Sequence, residues 1–368
     1  MNKRTTKVKA MAQAQALAAC RTMAVDLAKH VFQVAGEDAG GRVVYEERFR
    51  SREAFWSFVQ ALAPGVEILL EPGPGAQAWA RAFQAAGKPV RLLPAQRVAE
   101  HRSGAKNDRN DAHALLRAGR DRSIHAVPVK SVQALSMQAL HRVRSGYVRR
   151  RTAVVNQARG LLLEQGLALP QGAVMMERRL PALLEDASVA LPDLLRQLLA
   201  ELLAEWTHLG DRIAQLTGHL EQVARQDECT RRLMTIRGFG PIIATALVAK
   251  QSQPERFANA RQFAAYFGMV PDQHSSGQTV RLGKMSRRGD GYLRSLVIEG
   301  AHAVLRQLRP DSEQPDDRRL QRWLQRHDRK AAAIRLANRN LRIAWVLLQN
   351  QDTYHRQAAC PQEAAMTH

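Results

Sequence analysis

The chain has 368 residues and a formal charge of +21, with 55 lysines and arginines against 34 aspartates and glutamates. That length calls for two or three folded units, and the basic excess makes a polyanion the default partner, since each neutralised phosphate releases counterions. Cys20, Cys229 and Cys360 are far apart, with no CxxC or Cys/His spacing, which argues against a structural zinc or a disulfide framework and fits a reducing compartment.

The opening "MNKRTTKVKAMAQAQALAACRT" is basic and then alanine-rich, without the apolar core of a secretory signal, and residues 1–20 read as a mobile basic arm. "TMAVDLAKHVFQVAGEDAGGRVVYEERF" reads as strands broken by Gly/Asp turns. A helix "SREAFWSFVQALA", a strand "GVEILLEPG", a helix from Ala76 to Ala86, a short strand "PVRLL" and helical material from Pro94 to Arg120 follow. Alternation of this kind predicts a layered α/β domain over 21–130, ending near "HAVPVKS". No later stretch is apolar enough to span a bilayer, so the expected location is the cytoplasm.

From Val132 the pattern changes. Leu195, Leu199, Leu202, Trp206, Leu209, Ile213, Leu216, Leu220 and Val223 alternate steps of four and three, a seam suited to a coiled coil or a long antiparallel hairpin. Leu140, Val143, Tyr147, Val154, Ala158 and Leu161 repeat it with Arg151 in the seam. Residues 131–226 therefore predict a two-helix arm with its loop at "GLALPQGA". Arg149, Arg150 and Arg151 make the first helix either a polyanion contact or part of a plain spacer. A mainly helical unit follows over 227–349. In it "RRLMTIRGFGPIIATALVAK" has the pattern of a helix-hairpin-helix, where Gly238 and Gly240 would let a phosphate approach the backbone. Residues 350–368 read as a polar, frayed tail.

Four carboxylates stand out against the basic background. Asp26 interrupts an apolar strand, an expensive place for an unpaired acid. Glu71 ends another strand, at the end where open α/β sheets place ligands. Asp108 and Asp111, three apart in "AKNDRNDAHALL", project from one face of a helix. Together they suggest a site for one or two Mg²⁺ ions. Taken singly each has a plainer role: Asp108 as a helix cap with Asp111 in the first turn, Asp26 paired with Lys29, Glu71 as an exposed acid.

"VDLAKH", "LLEPGPGAQ", "AKNDRNDAHALL", "GFGPIIATAL", "RQFAAYFGMVPDQHSSGQ" and "SRRGDGYLR" occur in order from about residue 22 to 310. Jointly they resemble the DEDD-type insertion-sequence transposases, relatives of the pilin-gene-inverting recombinases and associated with bridge RNA guides. The resemblance implies a RuvC-like RNase H fold at the N-terminus, then a coiled-coil arm, then a transposase domain. It places the family's acidic positions on Asp26, Glu71, Asp108 and Asp111 and its serine nucleophile on Ser276, with the neighbouring Ser275 as rival. It further implies double-stranded DNA as substrate, a guide RNA as partner, and a dimer or tetramer whose protomers share composite sites.

A serine hydroxyl needs activation, and Arg281, Lys284, Arg287 and Arg288 are placed to hold a scissile phosphate. A Ser/His pairing through His274 is not favoured, since adjacent side chains, such as those of His274 and Ser275, point to opposite faces of an extended segment. The chain has no GxxxxGK[ST] loop, consistent with a reaction that conserves bond energy in a phosphoserine rather than using ATP. Rival readings are a RuvC-type junction nuclease using metal-activated water and a non-catalytic helix-hairpin-helix binding protein.

Overall fold

The computed structural model describes residues 3–105, 107–250, 253–273, 276, 279 and 281–354. The chain divides after Ser131 into two compact units. Among the described residues no helix is long and apolar enough to cross a membrane.

The first unit contains α1 (Lys3–Ala19), β1 (Thr22–Leu27), β2 (Phe32–Glu37), β3 (Val43–Phe49), α2 (Arg52–Ala61), β4 (Glu67–Leu70), α3 (Ala76–Ala85), β5 (Val90–Leu92), α4 (Ala95–Glu100) and α5 (Asp108–Arg120). Its five strands lie in the order β3-β2-β1-β4-β5. The first three form an antiparallel meander, and β4 and β5 run parallel to β1.

Strand alternation sends neighbouring residues to opposite faces, and both faces of this sheet are covered. Met23, Val25, Ile68 and Leu70 meet the aromatic cluster of Phe55 and Phe83 from α2 and α3. Ala24, Ala35 and Leu69 meet α5. The second interface sets small groups among larger ones: Ala24 and Ala35 on the strands share a cluster with Ala112 and Ala118 beside Leu115 and Leu116, and a Cβ on Gly119 would lie 2.3 Å from Leu69 Cδ1. Small residues on both sides bring α5 close onto β1 and β2.

Residues 1–20, expected to form a mobile arm, instead carry α1. Its alanine-rich sequence favours helix, and Leu17 packs against the sheet core. Cys20 is fully buried beside it, and burial, followed by the charge of Asp38, pushes the thiol up to about 11.

The second unit contains α6 (Val132–Leu163), α7 (Ala173–Glu185), α8 (Asp193–Gln226), α9 (Glu228–Met234), α10 (Pro241–Lys250), α11 (Ala260–Tyr266), β6 (Pro271–Gln273), β7 (Leu282–Met285), α12 (Gly291–Arg306), α13 (Pro315–Arg326) and α14 (Arg329–Asn350). α6 and α8 pack antiparallel: Arg144 Nε donates to Thr217 Oγ1 at 2.7 Å, while Val154, Ala158 and Leu162 share a core with Leu199 and Leu209. Where two helices were expected there are three, because α7 folds between them and buries Met176 and Leu180. α10 packs against both long helices, so the arm and the C-terminal helices belong to one compact unit rather than two.

The α6 seam also departs from the heptad reading. Val143 is 47% exposed, and His141 is buried in its place. His141 Nε2 lies 3.0 Å from Thr245 Oγ1, whose hydroxyl donates to the Pro241 carbonyl at 2.6 Å. That assigns the imidazole proton to Nε2 and leaves Nδ1 to accept from the Tyr292 hydroxyl at 3.1 Å. α6 therefore turns its N-terminal half toward α10 and α12 through a neutral histidine. Beyond α14, Tyr354 is not frayed: its amide donates to Thr235 Oγ1 at 2.8 Å and its hydroxyl to Asp316 at 3.0 Å.

Burial, assisted by the Arg144 charge, lowers the His141 pKa from 6.5 to about 4. The unfolded chain therefore takes up a proton at a pH where the folded chain does not. The stability from this site is complete above the unfolded value and is lost as pH falls from 6.5 toward 4. Urea unfolding at pH 7 and pH 5 should show the wild type losing about 2 kcal/mol more than His141→Asn. An equal loss in both proteins would contradict the assignment.

Candidate active site

The four acids fall in the first unit and Ser276 in the second. β1 and β4 pair in parallel with Val25 opposite Leu70, so Asp26 and Glu71 occupy the next position of adjacent strands. Asp26 follows Ala24 by two residues in β1, which directs it toward the face covered by α5, and Glu71 comes directly after the last residue of β4. The same row continues through Gln33, opposite Asp26, to Arg48, opposite Gln33.

α5 brings the other two acids to this end. Its cap is Asn107, whose side chain accepts from the Asn110 amide at 2.8 Å, so Asp108 is the first helical residue rather than the cap. Asp108 is exposed and Asp111 half-buried. Arg48 Nη2 lies 3.3 Å from Asp108 Oδ2, which ties the first turn of α5 to the row holding Asp26 and Glu71. One row back, Glu46 holds Arg109 and His113 of α5. Burial opposes its charge, but those two partners lower its pKa overall. At the far end of the helix Arg120 Nη2 meets the buried Glu37 at 2.6 Å. Paired side chains thus hold α5 at both ends, with its acidic turn over the carboxyl ends of β1 and β4.

The side chains do not close into a ligand cage. Among the described residues no three aspartate, glutamate, histidine or cysteine side chains stand close enough together to hold an ion. Arginines neutralise the helical pair instead: Arg48 lies on Asp108, and Arg102 Nε lies 2.6 Å from Asp111 Oδ1. The latter contact is close, yet both atoms are buried and neither makes a directed hydrogen bond. The Asp111 carboxylate, ion-paired with Arg102 but without a directed hydrogen bond, is by its chemistry a hard oxygen donor of the kind Mg²⁺ takes.

Ser276 sits near the end of the β6–β7 hairpin. Its backbone exchanges hydrogen bonds with Thr279, at 3.3 and 3.1 Å, and its side chain is exposed. His274 and Ser275 lie outside the described residues. Arg281, Lys284, Arg287 and Arg288 are all exposed along β7 and the turn after it. The base of the hairpin is clasped tightly. A Cβ on Gly268 would lie 2.1 Å from the Arg288 carbonyl oxygen, and one on Gly289 would lie 2.1 Å from that of Tyr266. Arg287 beside them adopts a left-handed φ of 54°, a conformation that side-chain-bearing residues rarely take.

The expected phosphate contacts divide. Gly240 faces open space, but Gly238, at φ 91°, lies against α12: a Cβ on Gly300 would fall 2.2 Å from the Gly238 carbonyl oxygen. The missing side chain at Gly238 therefore serves helix packing. On α6, Arg149 donates to Ser145 Oγ at 3.3 Å, and the Arg150 guanidinium lies 5.7 Å from the Tyr147 ring centroid. Arg151 is half-buried in the wall of a cavity. What the sequence reading missed is the arginine–carboxylate pairing of Arg48 and Arg102, which both lie outside the short motif that holds their partners.

A transposase family model of the DEDD IS110 type matches residues 23–165, and one for the transposase IS116/IS110/IS902 family matches residues 230–315. A probable family 20 transposase of Pseudomonas aeruginosa is 40% identical over 90% of this chain and 97% of its own length. The chain belongs to the DEDD-type insertion-sequence transposases. The transposase for insertion sequence element IS1111A of Coxiella burnetii is 35% identical over 91% of each chain. That for element IS1328 of Yersinia enterocolitica is 33% identical over 88% of this chain and 95% of its own. Both matched segments carry a candidate centre, the four acids in the first and Ser276 in the second.

Proposed function

We propose that this transposase cuts and rejoins DNA through a phosphoserine intermediate at a centre built from Asp26, Glu71, Asp108, Asp111 and Ser276. The observation that carries the reading is the shared register position of Asp26 and Glu71, with the acidic first turn of α5 over the same end of the sheet. An antiparallel meander followed by two parallel strands supports a RuvC-like RNase H fold for the first unit. The α6–α8 hairpin is read as the coiled-coil arm, and α9–α10 as the helix-hairpin-helix.

Asp26, Glu71, Asp108 and Asp111 would hold Mg²⁺. When bound, the metal supplies Lewis-acid polarisation of the scissile phosphate and stabilises the charge developing on its oxygens. Arg48 and Arg102 hold the helical carboxylates in its place and must yield for it to bind. The Ser276 oxygen attacks phosphorus and forms a new P–O bond as the bond to the leaving strand oxygen breaks. The serine proton passes to water, and the leaving oxygen is protonated. In the second half a hydroxyl of another DNA end attacks the same phosphorus, and Ser276 Oγ leaves and regains a proton. Arg281, Lys284, Arg287 and Arg288 offset the phosphate charge through both steps.

The family resemblance implies that the acids and the serine meet in a composite site between protomers, so the complete centre is assigned to an oligomer. Target choice is assigned to pairing with a guide RNA, so the protein reads backbone and shape, a task suited to its +21 charge. Two measurements test the chemistry. Asp111→Asn should lower magnesium-dependent cleavage of element-end DNA at least 100-fold, by rough analogy with metal-site losses; an unchanged rate removes the acidic centre. Ser276→Ala should abolish the covalent protein–DNA adduct on denaturing gels. An adduct that persists reassigns the nucleophile, and cleavage with no adduct in the wild type favours the water-using nuclease.

A further inference from the structure

The antiparallel arm contains a feature that strand exchange does not use. A seam of steps of three and four asks for an apolar side chain at position 151, and the chain has arginine. Around it, α6, the loop before α7 and α8 leave a cavity of about 360 Å³, within the size range of small-ligand sites. Its walls carry Arg151, Thr152, Asn156, Arg159, Gln171 and Trp206, and no carboxylate lines it. Arg159 is fixed, its Nε donating to the Leu169 carbonyl at 3.0 Å. Trp206 packs one side into the arm core, and its Nε1–H is buried with no hydrogen-bond acceptor.

We propose that this cavity binds one unstacked nucleotide of a single-stranded nucleic acid. The chemistry of the wall matches the two ends of such a ligand. An indole offers a base a stacking surface, and the side-chain amides of Asn156 and Gln171 present both donors and acceptors to its edge. Arg151 supplies charge for the phosphate, extended along the exposed side of α6 by Arg149 and Arg150. A duplex keeps its bases stacked inside and offers nothing to such a cavity, so the site discriminates strandedness. The inference depends on the arm alone and not on the acidic centre.

Fluorescence anisotropy of the full-length protein with labelled oligouridine, oligothymidine and a duplex of equal length tests it. Trp206→Ala and Asn156→Ala should each weaken single-strand binding at least fivefold, roughly the loss of one base–aromatic stack, and leave duplex binding unchanged. Arg151→Ala should also weaken binding and lower the salt slope by about one. Preference for oligouridine identifies an RNA ligand, and preference for oligothymidine a DNA ligand. Since Trp206 also supports the arm core, Asn156→Ala and photo-crosslinking of the wild type with 5-iodouridine oligomers carry the decision if Trp206→Ala does not fold. A crosslink in the peptide holding Trp206 is expected. Wild-type single-strand affinity in Asn156→Ala with no crosslink at Trp206, or equal losses for duplex and single strand, would overturn the proposal. Asp111→Asn should bind single strands normally, which separates this site from the proposed reaction.

Discussion

The close seating of α5 on the sheet is the constraint from which the candidate centre follows. An ordinary helix lies on a sheet at a distance set by large side chains. Here Ala24 and Ala35 face Ala112 and Ala118, and Gly119 leaves room only for Leu69. That contact fixes the height of the helix, while ion pairs at its two ends fix its direction. With both set, the first turn has one place to go, over the carboxyl ends of β1 and β4. A bulkier residue anywhere along this interface would lift Asp108 and Asp111 away from Asp26 and Glu71 without touching any of them.

The electrostatics of that end are unusual for so basic a chain. Carboxylates brought together repel, and each needs a positive partner. Arg48 and Arg102 supply one each for the helical pair. These contacts are not equivalent. The Arg48–Asp108 pair is solvent-exposed and contributes little to stability. The Arg102–Asp111 pair is more enclosed and poorly directed, an arrangement open to exchange for a cation with better oxygen geometry. The serine hairpin contrasts with this. Its base is clamped by glycine–backbone contacts, and Ser276, the proposed nucleophile, is exposed, as are Arg281, Lys284, Arg287 and Arg288.

Much of this was legible in the sequence, and the exceptions have physical causes. Strands buried on both faces read as apolar runs, and β1, β4 and the flanking helices fall where turn residues and periodicity put them. The four acids were visible as polar intrusions, and motif order supplied the family. What periodicity does not encode is partnership between distant residues. The parallel register that sets Asp26 beside Glu71, and the arginines that meet Asp108 and Asp111, arise only when strands pair. His141 was missed because a neutral histidine bonded on both sides behaves as a core residue, whereas a heptad count prefers Val143. Gly238 was read for a ligand because glycine at a turn has two uses, and the packing use shows only in the contact with Gly300. Alanine-rich sequence after a basic start likewise concealed a helix docked through Leu17.

The most direct test of the acidic centre is metal binding itself, read separately from DNA cleavage. Mn²⁺ titrated into the full-length protein can be followed by the loss of its free-ion paramagnetic resonance signal. If Asp26, Glu71, Asp108 and Asp111 form one cation pocket, the wild type depletes that signal, and both Glu71→Gln and Asp108→Asn release the ion, although they lie on different elements. Binding that survives unchanged in both variants would contradict a shared pocket.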